Sequence, residues 1–132
     1  MRLLYTFSIH LYTCAIRIAA LTGNSKARLW LSGREKQKNI FNESHKDGQW
    51  LWFHVSSLGE FEQGRPLIEH YRSHNPEYKI LLTFFSPSGF EVRKNYKEAD
   101  LVLYLPSDTP VHARRLINKF NIVTAFFVKY DF

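Results

Sequence analysis

The spacing of apolar and polar residues divides the chain into three stretches. Leu3–Leu21 is mostly apolar, and its polar interruptions at Thr6, His10, Thr13 and Arg17 step by four, three and four. On a helix these positions form one narrow stripe and leave a wide apolar face of Leu3, Leu4, Phe7, Leu11, Cys14, Ile18 and Leu21. Residues 25–48 hold no sustained rhythm and read as a linker. From Trp50 onward, short and almost continuously apolar runs alternate with stretches of helical periodicity. Residues 50–56, 79–85, 101–105 and 122–128 read as strands, and 67–74, 90–97 and 111–120 as helices. Pro66 leaves the start of the first of these helices open, either at Gly59 with a kink or near Arg65. Strand–helix alternation at this spacing implies right-handed crossovers. The expected fold class is α/β, a parallel sheet with flanking helices preceded by a hydrophobic N-terminal helix. The expected division is 1–24 as that helix, 25–48 as linker and 49–132 as the α/β domain.

Composition changes the picture in one respect. The chain has 18 Lys+Arg against 12 Asp+Glu, a net charge of +6. Up to Gly48 there are eight basic and three acidic residues, and beyond it ten and nine. The basicity therefore belongs to the N-terminal third, and the nearly neutral domain offers no broad face for nucleic acid. Lys26, Arg28, Trp30, Arg34, Lys36 and Lys38 follow the apolar helix. Such clusters attract anionic lipid headgroups, so residues 1–38 are expected to meet an anionic membrane surface. The helix itself has several readings: lying in the interface, spanning the bilayer, packing as a core helix, or serving as a signal. A single cysteine, Cys14, excludes an internal disulfide framework.

Candidate chemistry gathers where the expected strands end. Ser56-Ser-Leu-Gly-Glu60, Ser86-Pro-Ser-Gly89, Pro106-Ser-Asp108 and Lys129-Tyr-Asp131 are all polar, and in a parallel sheet all leave the same edge. Ser57-Leu-Gly-Glu60 reads either as a capping box or as a carboxylate presented for general-base work. No G-x-G-x-x-G follows the first strand, and Arg65-Pro66 stands where a P-loop needs Lys-Ser/Thr. His70 and His74 are four apart but lack a third ligand, so no metal is expected. His54 reads as a core histidine with a polar partner, and no nucleophile elbow accompanies Ser56, Ser57 or Ser88.

The ordered set Trp52-Phe-His-Val-Ser-Ser-Leu-Gly-Glu60, Pro66-Leu-Ile-Glu69, Thr83-x-x-Ser-Pro-Ser-Gly89, Tyr104-Leu-Pro-Ser-Asp108 and Phe127-Val-Lys-Tyr-Asp-Phe132 resembles the N-terminal domain of 3-deoxy-D-manno-octulosonic acid (Kdo) transferases. The resemblance implies the Rossmann-like N-terminal half of a GT-B glycosyltransferase, acting at the cytoplasmic face of the bacterial inner membrane. It implies inverting transfer of Kdo from CMP-Kdo to a lipid A precursor, with no metal or other cofactor and with Glu60 as general base. Ser56, Ser57, Gly59, Ser86, Ser88, Gly89, Lys129 and Asp131 are the implied acceptor-binding positions. Where the family often has a Met-Glu-Thr-Glu-like run, this chain has Val128-Lys-Tyr-Asp131, which retains one carboxylate and offers Lys129 to an acceptor phosphate. The family's C-terminal domain holds most donor contacts, so residues 1–132 are expected to be inactive alone. The competing expectation is a membrane-associated binding module that keeps the sheet and catalyses nothing.

Overall fold

The computed structural model describes residues 2–129, the side chain of Arg2 apart. The elements in order are α1 (Arg2–Leu21), α2 (Ser25–Lys36), a 3-10 turn (Ile40–Asn42), β1 (His45–Val55), α3 (Leu58–His74), β2 (Lys79–Phe84), α4 (Pro87–Arg93), β3 (Leu101–Tyr104), α5 (Pro110–Lys119) and β4 (Phe120–Phe127). The four strands form one parallel sheet in the order β3-β2-β1-β4. The α/β class, the parallel sheet and the leading apolar helix are as the sequence led us to expect.

Alternation within the strands separates two cores. Leu51, Phe53 and Val55 of β1 join Ile80, Leu82 and Phe84 of β2 on one face, under Phe61 and Ile68 of α3. Trp50, Leu81 and Leu103 point to the other face, against Phe41, Leu116 of α5 and Phe120. From Trp50 on, β1, together with β2 and β3, reads as an apolar run because both faces are covered, whereas β4 is apolar in sequence but mostly exposed beyond Phe120. The crossovers β1-α3-β2-α4-β3 step one way along the sheet, and α5 then carries the chain back past β1 to β4. The strand order thus reverses between β1 and β4.

Several boundaries differ from expectation. Helix α3 starts at Leu58, nine residues before position 67, and runs through Pro66 without a break. Strand β1 starts at His45, because its exposed polar beginning carries no apolar signal. Its register with β4 shifts on either side of Trp50, and Gly48 there takes a φ of 85°.

Residues 25–48, read as a linker, contain α2, the 3-10 turn and the start of β1. Helix α1 closes with Gly23 at φ 97°, with the Asn24 N–H donating to the Ala19 carbonyl at 3.1 Å. Asn24 then caps α2, its Oδ1 accepting from the Ala27 N–H at 3.0 Å. Helix α2 presses Gly33 onto Tyr104 of β3; a Cβ at Gly33 would lie 2.1 Å from the ring. Just beyond α2, the buried Gln37 donates its Nε2 to the Tyr104 carbonyl at 2.7 Å and accepts from the Tyr104 N–H at 2.8 Å. One side-chain amide thus completes both backbone bonds on the outer edge of β3, covering a sheet edge that would otherwise be open.

Helix α1 is long and apolar enough to cross a membrane by length and composition, with mean hydropathy 1.3 over Leu3–Leu21, and most of that span is exposed, Ala20 being buried. Leu3, Leu4, Phe7, Leu11, Ile18 and Leu21 are all exposed. Its polar stripe does not face bulk solvent alone: His10, Thr13 and Arg17 look into a cleft shared with α2 and α5.

Candidate functional site at the carboxyl edge of the sheet

Backbone hydrogen bonds continue past the strands and fix the loops at their carboxyl ends. The Phe85 and Ser86 N–H groups donate to the Val55 and Ser56 carbonyls at 3.2 and 2.9 Å. Leu105 N–H donates to Phe84 at 2.8 Å, and Val128 N–H to His54 at 3.0 Å. All four strand ends therefore reach one edge, as the topology requires. The reversal between β1 and β4 makes their ends a crevice, the position where open parallel sheets hold ligands.

Glu60 stands beside that crevice in the first turn of α3. Ser57 is the N-cap, its Oγ accepting from the Glu60 N–H at 3.3 Å. The Glu60 carboxylate reaches back, and its Oε2 accepts a short hydrogen bond from the Ser56 N–H. Both halves of a capping box are present, displaced by one residue from the usual N-cap N–H. The second oxygen, Oε1, has no hydrogen-bond partner among the described residues. The capping reading and the base reading thus use different oxygens of one carboxylate. Nearby Glu62 is committed elsewhere, to Arg93 at 2.5 Å and Arg65 at 3.2 Å.

The remaining predicted positions separate into contacts and scaffolding. Ser56 is exposed beside Glu60, and Gly59 is exposed in the same helical turn. Ser86 is the N-cap of α4, and its Oγ lies 2.7 Å from the Ser88 Oγ. Gly89 is buried: a Cβ there would sit 2.8 Å from Phe84 Cδ1 and 3.1 Å from the Leu58 N. Its visible role is to let α4 approach the start of α3. Lys129 is exposed just past β4. Asp131 lies outside the described residues.

Behind Glu60 the strands carry a polar cluster whose partners no sequence pattern announces. Thr83 Oγ1, fully buried, accepts from Trp52 Nε1 at 2.8 Å and lies 2.9 Å from His54 Nδ1. Register alone makes this possible, since His54 of β1 pairs with Thr83 of β2. Burial pushes the His54 imidazole below its ordinary range, while Thr83 and the Glu60 charge pull it back. His70 and His74 stack at 4.2 Å near the other end of α3, away from this edge.

A parallel α/β domain with a carboxylate capping the helix at its topological reversal is the class this arrangement defines. Residues 23–132 match the family described as 3-Deoxy-D-manno-octulosonic-acid transferase (kdotransferase), and the chain belongs to that family. The 3-deoxy-D-manno-octulosonic acid transferase of Aquifex aeolicus is 36% identical over 66 residues, covering 49% of this chain and 18% of that protein. A probable mitochondrial 3-deoxy-D-manno-octulosonic acid transferase of Arabidopsis thaliana is 35% identical over 71 residues, covering 53% of this chain and 16% of its own length. A bifunctional glycosyltransferase/methyltransferase of Fusobacterium nucleatum is 28% identical over 99 residues, 67% of this chain and 15% of that protein. The matched part is less than a fifth of each of these relatives.

Proposed function

We propose that this chain is the acceptor-binding, base-bearing part of an inverting Kdo transferase of lipopolysaccharide biosynthesis. CMP-Kdo is the donor and a glucosamine hydroxyl of a lipid A precursor the acceptor. The observation that carries the reading is Glu60: at the β1/β4 crevice, oriented through Oε2 by the Ser56 N–H, with Oε1 free of partners among the described residues. A sugar hydroxyl is a poor nucleophile until its proton is taken as the new bond forms. In the proposed step the hydroxyl oxygen attacks the anomeric carbon of Kdo, its proton passes to Glu60 Oε1, and the bond to CMP breaks with the electron pair leaving on the phosphate. Ser86, Ser88 and Lys129 lie at the same edge to meet the acceptor. The donor is held mainly by a second domain, and residues 1–132 alone do not turn over. The exposed apolar face of α1 rests at the cytoplasmic surface of the membrane that carries the acceptor.

Glu60→Gln in a chain carrying the donor domain tests this. The amide keeps an oxygen for the Ser56 N–H, so the cap and the fold persist. Turnover is expected to fall by about 10²–10⁴-fold, the usual contribution of a general base. The capping box favours a second reading, in which Glu60 only starts α3 and the domain binds without catalysing. That reading predicts a small change in stability and no difference in turnover between Glu60→Gln and the parent chain.

A further inference from the structure

A cleft of about 430 Å³ opens between α1, α2 and the start of α5, and neither Ser56, Glu60, Ser86 nor Lys129 lines it. Four cations face it, Arg17 from α1, Arg34 and Lys38 from α2 and the residues just after it, and Arg115 from α5. Glu35 is the one carboxylate on its wall, and Lys38 pairs with it at 2.6 Å. That leaves three guanidinium groups on three elements, none with an ion-pair partner among the described residues.

Arg34 is held in place, its guanidinium 3.7 Å from the centre of the Trp30 ring. Its Nε donates to the Leu105 carbonyl at 3.2 Å, Nη1 to the Trp30 carbonyl at 3.4 Å and Nη2 to the Phe85 carbonyl at 3.5 Å. Arg34 therefore lends the cleft a fixed positive charge and leaves the open forks to Arg17 and Arg115. Burial lowers it to about 10, so it keeps its charge at neutral pH. Arg115 donates to the Asn42 side chain at 2.6 Å, which orients it without neutralising it. Trp30 lines the cleft, is 7% exposed, and has an indole N–H without a hydrogen-bond partner. On the opposite wall, burial first, then Arg115 and His10, hold His112 below its ordinary range. Three arginine charges thus line a concave site whose single carboxylate is already paired with Lys38, an arrangement that favours an anion.

We propose that this cleft binds the phosphate headgroup of an anionic membrane lipid. Arginine forks suit phosphate oxygens, and the forks of Arg17 and Arg115 beside the fixed charge of Arg34 suit the dianion of a phosphomonoester better than the monoanion of a phosphodiester. The lipid source follows from α1, which supplies one wall of the cleft and exposes its apolar residues on its other sides. Ile9 and Leu31 add apolar lining where the glycerol end of a lipid would lie. The inference rests on the reading of α1 as facing a membrane and is independent of Glu60 as base.

The test is sedimentation of the full chain with phosphatidylcholine vesicles, plain or doped to equal surface charge with phosphatidic acid or phosphatidylglycerol. Arg17 and Arg115 are both exposed, and Arg17→Gln with Arg115→Gln removes two cleft charges. Lys46→Gln with Lys97→Gln removes the same charge from exposed positions outside the cleft. Thermal melts of both double variants confirm folding, and each single Arg variant provides a second, milder reading.

Partition onto phosphatidic acid vesicles is expected to weaken about tenfold in the cleft variant and by no more than about twofold in the control. Plain vesicles are expected to bind all chains alike through α1, and phosphatidylglycerol less selectively. Equal losses in the two double variants would reduce the effect to general charge and overturn the proposal. So would equally tight capture of inorganic phosphate in equilibrium dialysis, which would make the ligand soluble. Glu60→Gln is expected to leave vesicle binding unchanged, so failure of the headgroup site and failure of the base are seen separately.

Discussion

Replacing Gln37 by leucine tests whether the basic N-terminal region is part of the folded domain. The substitution nearly keeps the volume and removes two hydrogen bonds to Tyr104, one at 2.7 Å and one at 2.8 Å. Tyr104 is fully buried and Gln37 is 6% exposed, so water does not replace the lost partners. Each bond contributes about 1 kcal/mol net, and each backbone group left buried and unpaired costs about 1–3 kcal/mol. Burying leucine in place of an amide offsets about 1 kcal/mol of this. The unpaired-group cost already contains the lost bonds, so the expected loss is about 1–5 kcal/mol, centred on about 3, or roughly 10 °C in Tm for a domain of this size. Urea unfolding followed by tryptophan fluorescence, in a non-ionic detergent that covers α1, measures it. Gln37→Glu adds a signature: one oxygen still accepts from the Tyr104 N–H while the other opposes the carbonyl. Its deficit relative to wild type is expected to shrink as pH falls toward about 4, where the protonated acid donates instead. A loss below about 0.5 kcal/mol in Gln37→Leu is the size of an ordinary surface substitution and would refute edge pairing by this side chain.

Three further outcomes follow from the site. Ser57→Ala is expected to destabilise the domain by about 1 kcal/mol, with Ser57→Asp restoring most of it, because the cap accepts from the Glu60 N–H; calorimetry of the three proteins decides. At Gly64 a Cβ would lie 2.9 Å from Val128 Cγ2, so Gly64→Ala is expected to cost stability despite its better helix propensity. A second change, Val128→Ala, should recover part of that loss, and additive effects in the cycle would show that the contact is unimportant. Since the His54 pKa is lowered by burial, the unfolded chain binds its proton first as pH falls. Stability from this group is therefore complete above the ordinary histidine value near about 6.5 and lost below it. Tm should drop between pH 7 and pH 5, with a shallower slope in His54→Gln; an unchanged slope would move the effect elsewhere, His112 being the first alternative.

Strands β1, β2 and β3 were legible because strands covered on both faces write themselves as apolar runs. Strand β4 was legible from an apolar run that the fold leaves mostly exposed, and the polar strand ends marked the site edge. The beginning of α3 was obscured by Pro66 and by a first turn whose residues serve capping as much as packing. Helix α2 was hidden because it buries only Ala27 and Trp30 and meets β3 at Gly33, among many charges. Gln37 gives no periodic signal at all: its role depends on which backbone it meets 67 residues away. Strand order is likewise a property of long-range pairing, so the polar loops could be assigned to one edge while the crevice between β1 and β4 could not.

These hidden contacts bear on the proposed chemistry. An enzyme whose acceptor sits in a bilayer needs its base at a fixed height over the surface, because a displacement of about 1 Å can cost two orders of magnitude in rate. Between α1 and Glu60 a continuous series of contacts can be traced. The Gly23 turn fixes α1 to α2, and the Arg28 Nε donates to the Ala20 carbonyl at 2.9 Å across the same corner. Gly33, Arg34 and Gln37 fix this pair to the end of β3. The sheet ladders then run through β2 to β1, where the Ser56 N–H holds the carboxylate. On the proposed reading, an N-terminal helix resting on lipid and a base working on a lipid headgroup are two ends of one rigid path, and the basic region between them is its coupling.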